Sequence, residues 1–131
     1  MHDEVKSIAD YAFAYCTSLQ SITIPKSVIE IESCSFLGCY SLASIEIGEN
    51  VEKIGFSAFE LCKSLQSITI PSKVKEIRLS TFRHCDKLST INIQEGVKII
   101  RLQAFAYTPL FNITHITKKY KNIGFSVCLL L

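Results

Sequence analysis

An isoleucine stands at every twenty-third position of the chain: Ile8, Ile31, Ile54, Ile77, Ile100 and Ile123. Six further apolar columns keep the same interval. Phe13, Phe36, Phe59, Phe82 and Phe105 form one, and Cys16, Cys39, Cys62 and Cys85 form another, with Thr108 in the fifth slot. Leu19, Leu42, Leu65 and Leu88 follow, with Phe111 fifth. Paired isoleucines come next, at Ile22 and Ile24, Ile45 and Ile47, Ile68 and Ile70, and Ile91 and Ile93. Val28, Val51, Val74 and Val97 close the units, with Tyr120 fifth. This frame divides the chain into a lead-in at 1–7, five units at 8–30, 31–53, 54–76, 77–99 and 100–122, and a partial sixth at 123–131. One such unit cannot bury its own apolar columns. Stacked units can, because each column then becomes a ladder inside a solenoid.

The spacing predicts local geometry. In Leu-x-x-Ile-x-Ile the two isoleucines lie two apart, on one face of a strand. Pro25 and Pro71, with Gly48 in the same slot, end that strand. The three-residue step from Phe to Cys, as in Ala58-Phe59-Glu60-Leu61-Cys62, predicts a single helical or 3₁₀ turn that drops both into the core. The Val-x-x-Ile step between units suits a second short extended piece.

Hydrophobic residues make up 48% of the chain and charged ones 20%, the balance of a packed core rather than of disorder. A net charge of +2 gives no strong field for nucleic acid. Residues 100–131 carry Arg101, Lys118, Lys119 and Lys121 and no acid, so that end is modestly basic. No apolar run approaches the roughly 20 residues of a membrane span, and the opening Met1-His2-Asp3-Glu4-Val5-Lys6 lacks a secretory-signal pattern.

The pattern Leu-x-x-Ile-x-Ile-Pro-x-x-Val-x-x-Ile-x-x-x-Ala-Phe-x-x-Cys, typified by Leu65-Gln66-Ser67-Ile68-Thr69-Ile70-Pro71, resembles the BspA-like, or treponemal-type, class of leucine-rich repeats over residues 8 to 107. The resemblance implies a right-handed leucine-rich-repeat coil. A parallel β-sheet would line its concave face, with short helical or 3₁₀ turns and extended pieces on the convex face. It also implies a cell-surface or secreted setting and adhesion to host or matrix surface proteins. The scaffold itself defines no activity.

The chain departs from the pattern at its ends. No N-terminal cap is recognisable. In unit five Pro109 follows Thr108, Thr114 replaces an inward isoleucine, and Ile113 falls in an outward slot, so this unit is either an improvised cap or a strand slipped in register. An uncapped end exposes a strand edge, which predicts self-association through the terminal repeats.

Chemistry-bearing residues find bland explanations. Four of the six cysteines form one repeat column of small buried residues. Their spacing lacks the close pairs of a zinc site. Cys34 and Cys39, five apart, could meet in a disulfide. His84 beside Cys85 evokes a thiol–imidazole pair, but His84 occupies the slot of Tyr15, Gly38, Leu61 and Tyr107. Asn112-Ile113-Thr114 matches the glycosylation acceptor pattern. No catalytic residue, metal ligand or cofactor is expected.

Strand alternation leaves Ser21 and Thr23, Ser44 and Glu46, Ser67 and Thr69, Thr90 and Asn92, and Ile113, His115 and Thr117 on the concave face. The first eight and His115 form the expected partner-binding surface. They are small and polar, and without an aromatic row they suit a protein better than a glycan or single-stranded nucleic acid. Lys26, Lys53, Lys63, Glu49 and Glu60 read as a solubilising rim. The expected function is thus a protein-interaction or adhesion module. The alternative is a structural unit that assembles through its ends.

Overall fold

The computed structural model describes residues 4–101, 103–109 and 112–114. Ten strands follow one another: β1 (Ser7–Ile8), β2 (Ser21–Thr23), β3 (Glu30–Ile31), β4 (Ser44–Glu46), β5 (Lys53–Ile54), β6 (Ser67–Ile70), β7 (Glu76–Ile77), β8 (Thr90–Ile93), β9 (Ile99–Ile100) and β10 (Asn112–Thr114). Even-numbered strands pair with even and odd with odd, always in parallel. The chain therefore winds as a solenoid. Each turn contributes one longer strand, from the Ile-x-Ile segment, and one two-residue strand where a unit begins.

Partners lie 23 residues apart, as in Ser7↔Glu30, Ser21↔Ser44 and Ser67↔Thr90. The isoleucine columns therefore meet their own kind, Ile22↔Ile45 and Ile68↔Ile91. Along β4, β6 and β8 the inward Ile45, Ile68 and Ile91 are buried while Ser44, Glu46, Ser67, Thr69 and Asn92 are exposed.

Unit five corrects the uniform count. β10 pairs with β8 as Asn112↔Thr90, Ile113↔Ile91 and Thr114↔Asn92, one residue short of the 23-residue interval. Of the two alternatives for this unit, the slipped strand is the one observed. Ile113 thus takes the register position of an inward isoleucine, not an outward one. Register follows the apolar pattern because a one-residue slip exchanges the two faces of a strand. His115 and Thr117 lie outside the described residues.

The core is a set of ladders. Phe36, Phe59 and Phe82 are fully buried and Phe105 nearly so, and consecutive rings from Phe13 onward stack at 5.1–5.5 Å with interplanar angles of 3–6°. Leu42, Leu65, Leu88, Val51 and Val97 are also fully buried. In the first coil Phe13, Leu19 and Ile22 are only half-buried.

The Phe-to-Cys segment is not helical. It runs as consecutive β-turns, and no helix occurs among the described residues. In unit three Ala58, Glu60 and Cys62 N–H groups donate to carbonyls three residues back. The intervening Ser57, Phe59 and Leu61 N–H groups donate instead to Leu79, Thr81 and Arg83 in the next coil. A helix would consume all these donors internally. The alternation requires positive φ twice per unit. One column is Tyr11, Cys34, Ser57, Ser80 and Gln103, and the other is Tyr15, Gly38, Leu61, His84 and Tyr107, with φ between 54° and 70°.

Candidate functional site

The outward residues of four strands line a groove of ≈ 690 Å³. Thr23 from β2, Ser44 and Glu46 from β4, Ser67 and Thr69 from β6, and Thr90 and Asn92 from β8 all border it. Seven of the nine expected site residues are thus brought together. Ser21 is exposed on β2 but does not line the groove. His115 lies outside the described residues. The strands position these side chains by alternation: the inward isoleucine between each pair, buried in β4, β6 and β8 and half-buried in β2, anchors the backbone, and coils repeat about 4.8 Å apart. The result is two sets of rows that border one groove: Thr23 beside Glu46 on β2 and β4, and Ser67 beside Thr90 and Thr69 beside Asn92 on β6 and β8.

The rim holds what reading the strands alone missed. Lys26 and Glu49 border the groove and form an ion pair, Nζ to Oε1 at 3.5 Å. Below them Asn50 Nδ2 donates to the Lys26 carbonyl at 2.9 Å and Lys73 Nζ donates to Asn50 Oδ1 at 2.8 Å. Opposite charges placed one repeat apart are the sequence signal for such cross-coil pairs. Lys63 and Asp86, and Glu60 and Arg83, show it again at 3.9 and 3.8 Å. In the groove itself Thr23 Oγ1 donates to Glu46 Oε2 at 3.4 Å.

Hydroxyls both donate and accept, so the rows can meet a guest's N–H and C=O groups without rearranging. Among the described residues no aromatic ring borders the groove. The exposed aromatic rings, Tyr11, Tyr15, Tyr40, Phe56 and Tyr107, sit on the turn segments instead.

The cysteines have structural employment. The five described are free, and Cys39, Cys62 and Cys85 are fully buried. Each thiol donates to a phenylalanine carbonyl one coil back: Cys39 to Phe13, Cys62 to Phe36 and Cys85 to Phe59, at 3.1–3.2 Å. Thr108 Oγ1 continues the series to Phe82 at 2.6 Å. Burial pushes the Cys39 thiol up to about 11 and raises Cys62 and Cys85 further, the opposite of an activated nucleophile. Cys34 and Cys39 do not bridge. A hydrogen bond with the Cys34 thiol raises the Tyr11 phenol above its ordinary value. The His84 ring stacks on Tyr107 at 4.4 Å while Cys85 bonds Phe59, so no thiol–imidazole pair forms. Among the described residues no group of three His, Cys, Asp or Glu side chains could hold a metal, and no helix is long and apolar enough to cross a membrane.

A BspA-type leucine-rich-repeat region matches residues 4–128 in six copies. A leucine-rich repeat protein from Bacteroides ovatus is 26% identical with a TM-score of 0.61, over 86% of this chain and 40% of that one. A leucine-rich cell surface protein from Faecalibacterium prausnitzii is 27% identical with a TM-score of 0.58, over 97% of this chain and 41% of that one. The chain thus spans about two fifths of the length of these two solved relatives. No match is found among curated proteins. With its repeat columns, its parallel coil and a family match over most of its length in agreement, the chain belongs to the BspA-type leucine-rich-repeat family.

Proposed function

We propose that the chain is a protein-interaction module that takes a macromolecular partner along its strand face, in the manner of an adhesin. The observation that carries this reading is the groove, where outward residues of four successive coils converge on one hydroxyl-lined surface. It is supported by the cell-surface description of the Faecalibacterium relative. The test is binding to immobilised extracellular-matrix proteins, comparing wild type with a Ser67→Arg/Thr69→Arg pair. Both positions are exposed, so the pair should fold normally while losing the partner. Equal binding by both proteins would end the proposal.

A second reading, end-to-end assembly, draws on the first coil. There Phe13, Leu19 and Ile22 are half-buried and Cys16 is exposed, while later members of the same columns are buried. A further coil, whether of the same chain or of another copy, would cover that surface, and assembly follows in the second case. Light scattering after gel filtration tests this, and a constant monomer mass at tens of micromolar would exclude it.

A further inference from the structure

The charged groups around the groove are unevenly satisfied. Lys26 and Glu49 neutralise one another at the rim. Glu32, Glu60, Glu76 and Asp86 also have basic partners within 4 Å. Glu46 has none among the described residues, and the hydrogen bond of its carboxylate is the long one from Thr23. A carboxylate can accept about four hydrogen bonds. Most of that capacity is left open in a groove whose other outward strand residues, Ser44, Ser67, Thr69, Thr90 and Asn92, are neutral.

We propose that the groove receives an extended, basic protein segment through a lysine or arginine side chain seated on Glu46. This rests on the groove reading above and names the chemistry of the partner. Three observations carry it. Glu46 sits beside Thr23 on the neighbouring strand and borders the groove together with Ser44, Ser67 and Thr69, small polar side chains past which a guest backbone can approach closely. The charged residues that line the groove are two carboxylates, Glu46 and Glu49, against one ammonium, Lys26, so the lining carries the same sign. Such a field draws cationic partners toward the face before contact. Finally, Lys26, the one cation among the described residues that line the groove, pairs with Glu49 rather than with Glu46. A guanidinium or ammonium on Glu46 completes the charge pairing that the cross-coil ion pairs provide elsewhere.

A phage-displayed library of random linear peptides, selected on the intact chain, tests the inference. The recovered peptides are synthesised and titrated against wild type, Glu46→Gln, Glu46→Lys and a Ser67→Tyr/Thr69→Tyr pair that fills the groove without changing its charge. Thermal unfolding confirms that each variant is folded. The expected result is enrichment of Lys or Arg, loss of binding to the tyrosine pair, and at least a tenfold (~1.4 kcal/mol) loss on Glu46→Gln. Selection on Glu46→Lys should switch the enrichment to Asp and Glu. Peptides blocked by the tyrosine pair but neutral, or indifferent to Glu46→Gln, would overturn the inference and leave the groove reading standing. No binders, or binders that ignore the tyrosine pair, would remove the groove reading and the inference with it.

Discussion

The thiol of Cys62 donates a hydrogen bond to the carbonyl oxygen of Phe36, 3.2 Å away on the preceding coil. The same carbonyl also accepts the Cys39 N–H, at 3.2 Å, so both of its lone pairs are engaged. Thr108 makes the equivalent bond to Phe82 with a hydroxyl. Cys62→Thr should therefore keep the bond, whereas Cys62→Val matches its shape and loses it. Urea unfolding should place the valine variant about 0.5–1.5 kcal/mol below the threonine variant. Equal midpoints would show that the thiol serves by volume alone.

Buried thiols also make stability depend on alkali. Folding holds Cys39, Cys62 and Cys85 protonated, because burial raises all three above the ordinary value of 9.0. In the unfolded chain they ionise near that ordinary value. Their stabilisation is fully present below it and is lost as pH climbs toward about 11, where Cys39 ionises in the fold as well. Each proton held only in the fold steepens the decline by about 1.4 kcal/mol per pH unit. Cys62→Thr should flatten the alkaline limb of a plot of stability against pH. In native protein a disulfide reagent should reach Cys16 before any of the three buried thiols.

The phenylalanine ladder should give a graded response. Phe59 lies between Phe36 and Phe82, at 5.4 and 5.5 Å, and is fully buried. Phe59→Ala should cost about 3–5 kcal/mol. Phe13 has a stacked neighbour on one side and is half-buried, so Phe13→Ala should cost clearly less. Equal losses in denaturant unfolding would contradict the ladder as a set of nearest-neighbour contacts.

Positive φ at non-glycine residues predicts stabilising substitutions. Ser57 and Leu61 hold φ of 54° and 63°. Glycine at either position relieves a left-handed conformation that costs an L-residue roughly 1–2 kcal/mol, offset in part by added freedom in the unfolded chain. Ser57→Gly, which forfeits little packing, should raise the unfolding midpoint. Gly38→Ala should lower it, because φ is 70° there and the new Cβ would lie 2.5 Å from the Tyr15 ring.

Lys53 Nζ donates to Glu32 Oε2 at 2.9 Å. That bond lowers the Glu32 carboxyl and raises the Lys53 ammonium relative to their ordinary values. The carboxylate's contribution is present above its ordinary value and lost as pH falls through the lowered one. The ammonium's contribution is present below its ordinary value and lost as pH rises through the raised one. Both side chains are partly exposed, so the pair should be worth at most about 1 kcal/mol at neutral pH. Chemical denaturation of wild type and Glu32→Gln should show that gap closing in acid.

The coil was legible in the sequence because burial repeats. Ile, Phe, Cys, Leu and Val recur at one interval, and alternation about Ile45, Ile68 and Ile91 named seven of the residues that border the groove. The turn segment was not. Tyr15, Leu61, His84 and Tyr107 share a left-handed backbone that their side chains do not advertise, and Gly38 is its one glycine. Hydrogen bonds to the next coil, invisible to local spacing, decide against a helix there. Unit five misled for a related reason. A count from the isoleucine column assigned Ile113 outward, whereas lateral pairing with Ile91 sets its place.

The alternating turn donors also govern how such a molecule can change in length. Ser57, Phe59 and Leu61 each reach for a carbonyl 22 residues ahead, so every coil is completed by its successor. Excising any run of 23 residues from the regular interior splices like onto like, and each donor finds an equivalent acceptor. Excising one residue more or fewer puts each outward side chain downstream where an inward one belongs. Heredity can therefore lengthen or shorten this scaffold in whole coils by unequal exchange, while a single-residue indel inside a coil exchanges the two faces of every strand beyond it.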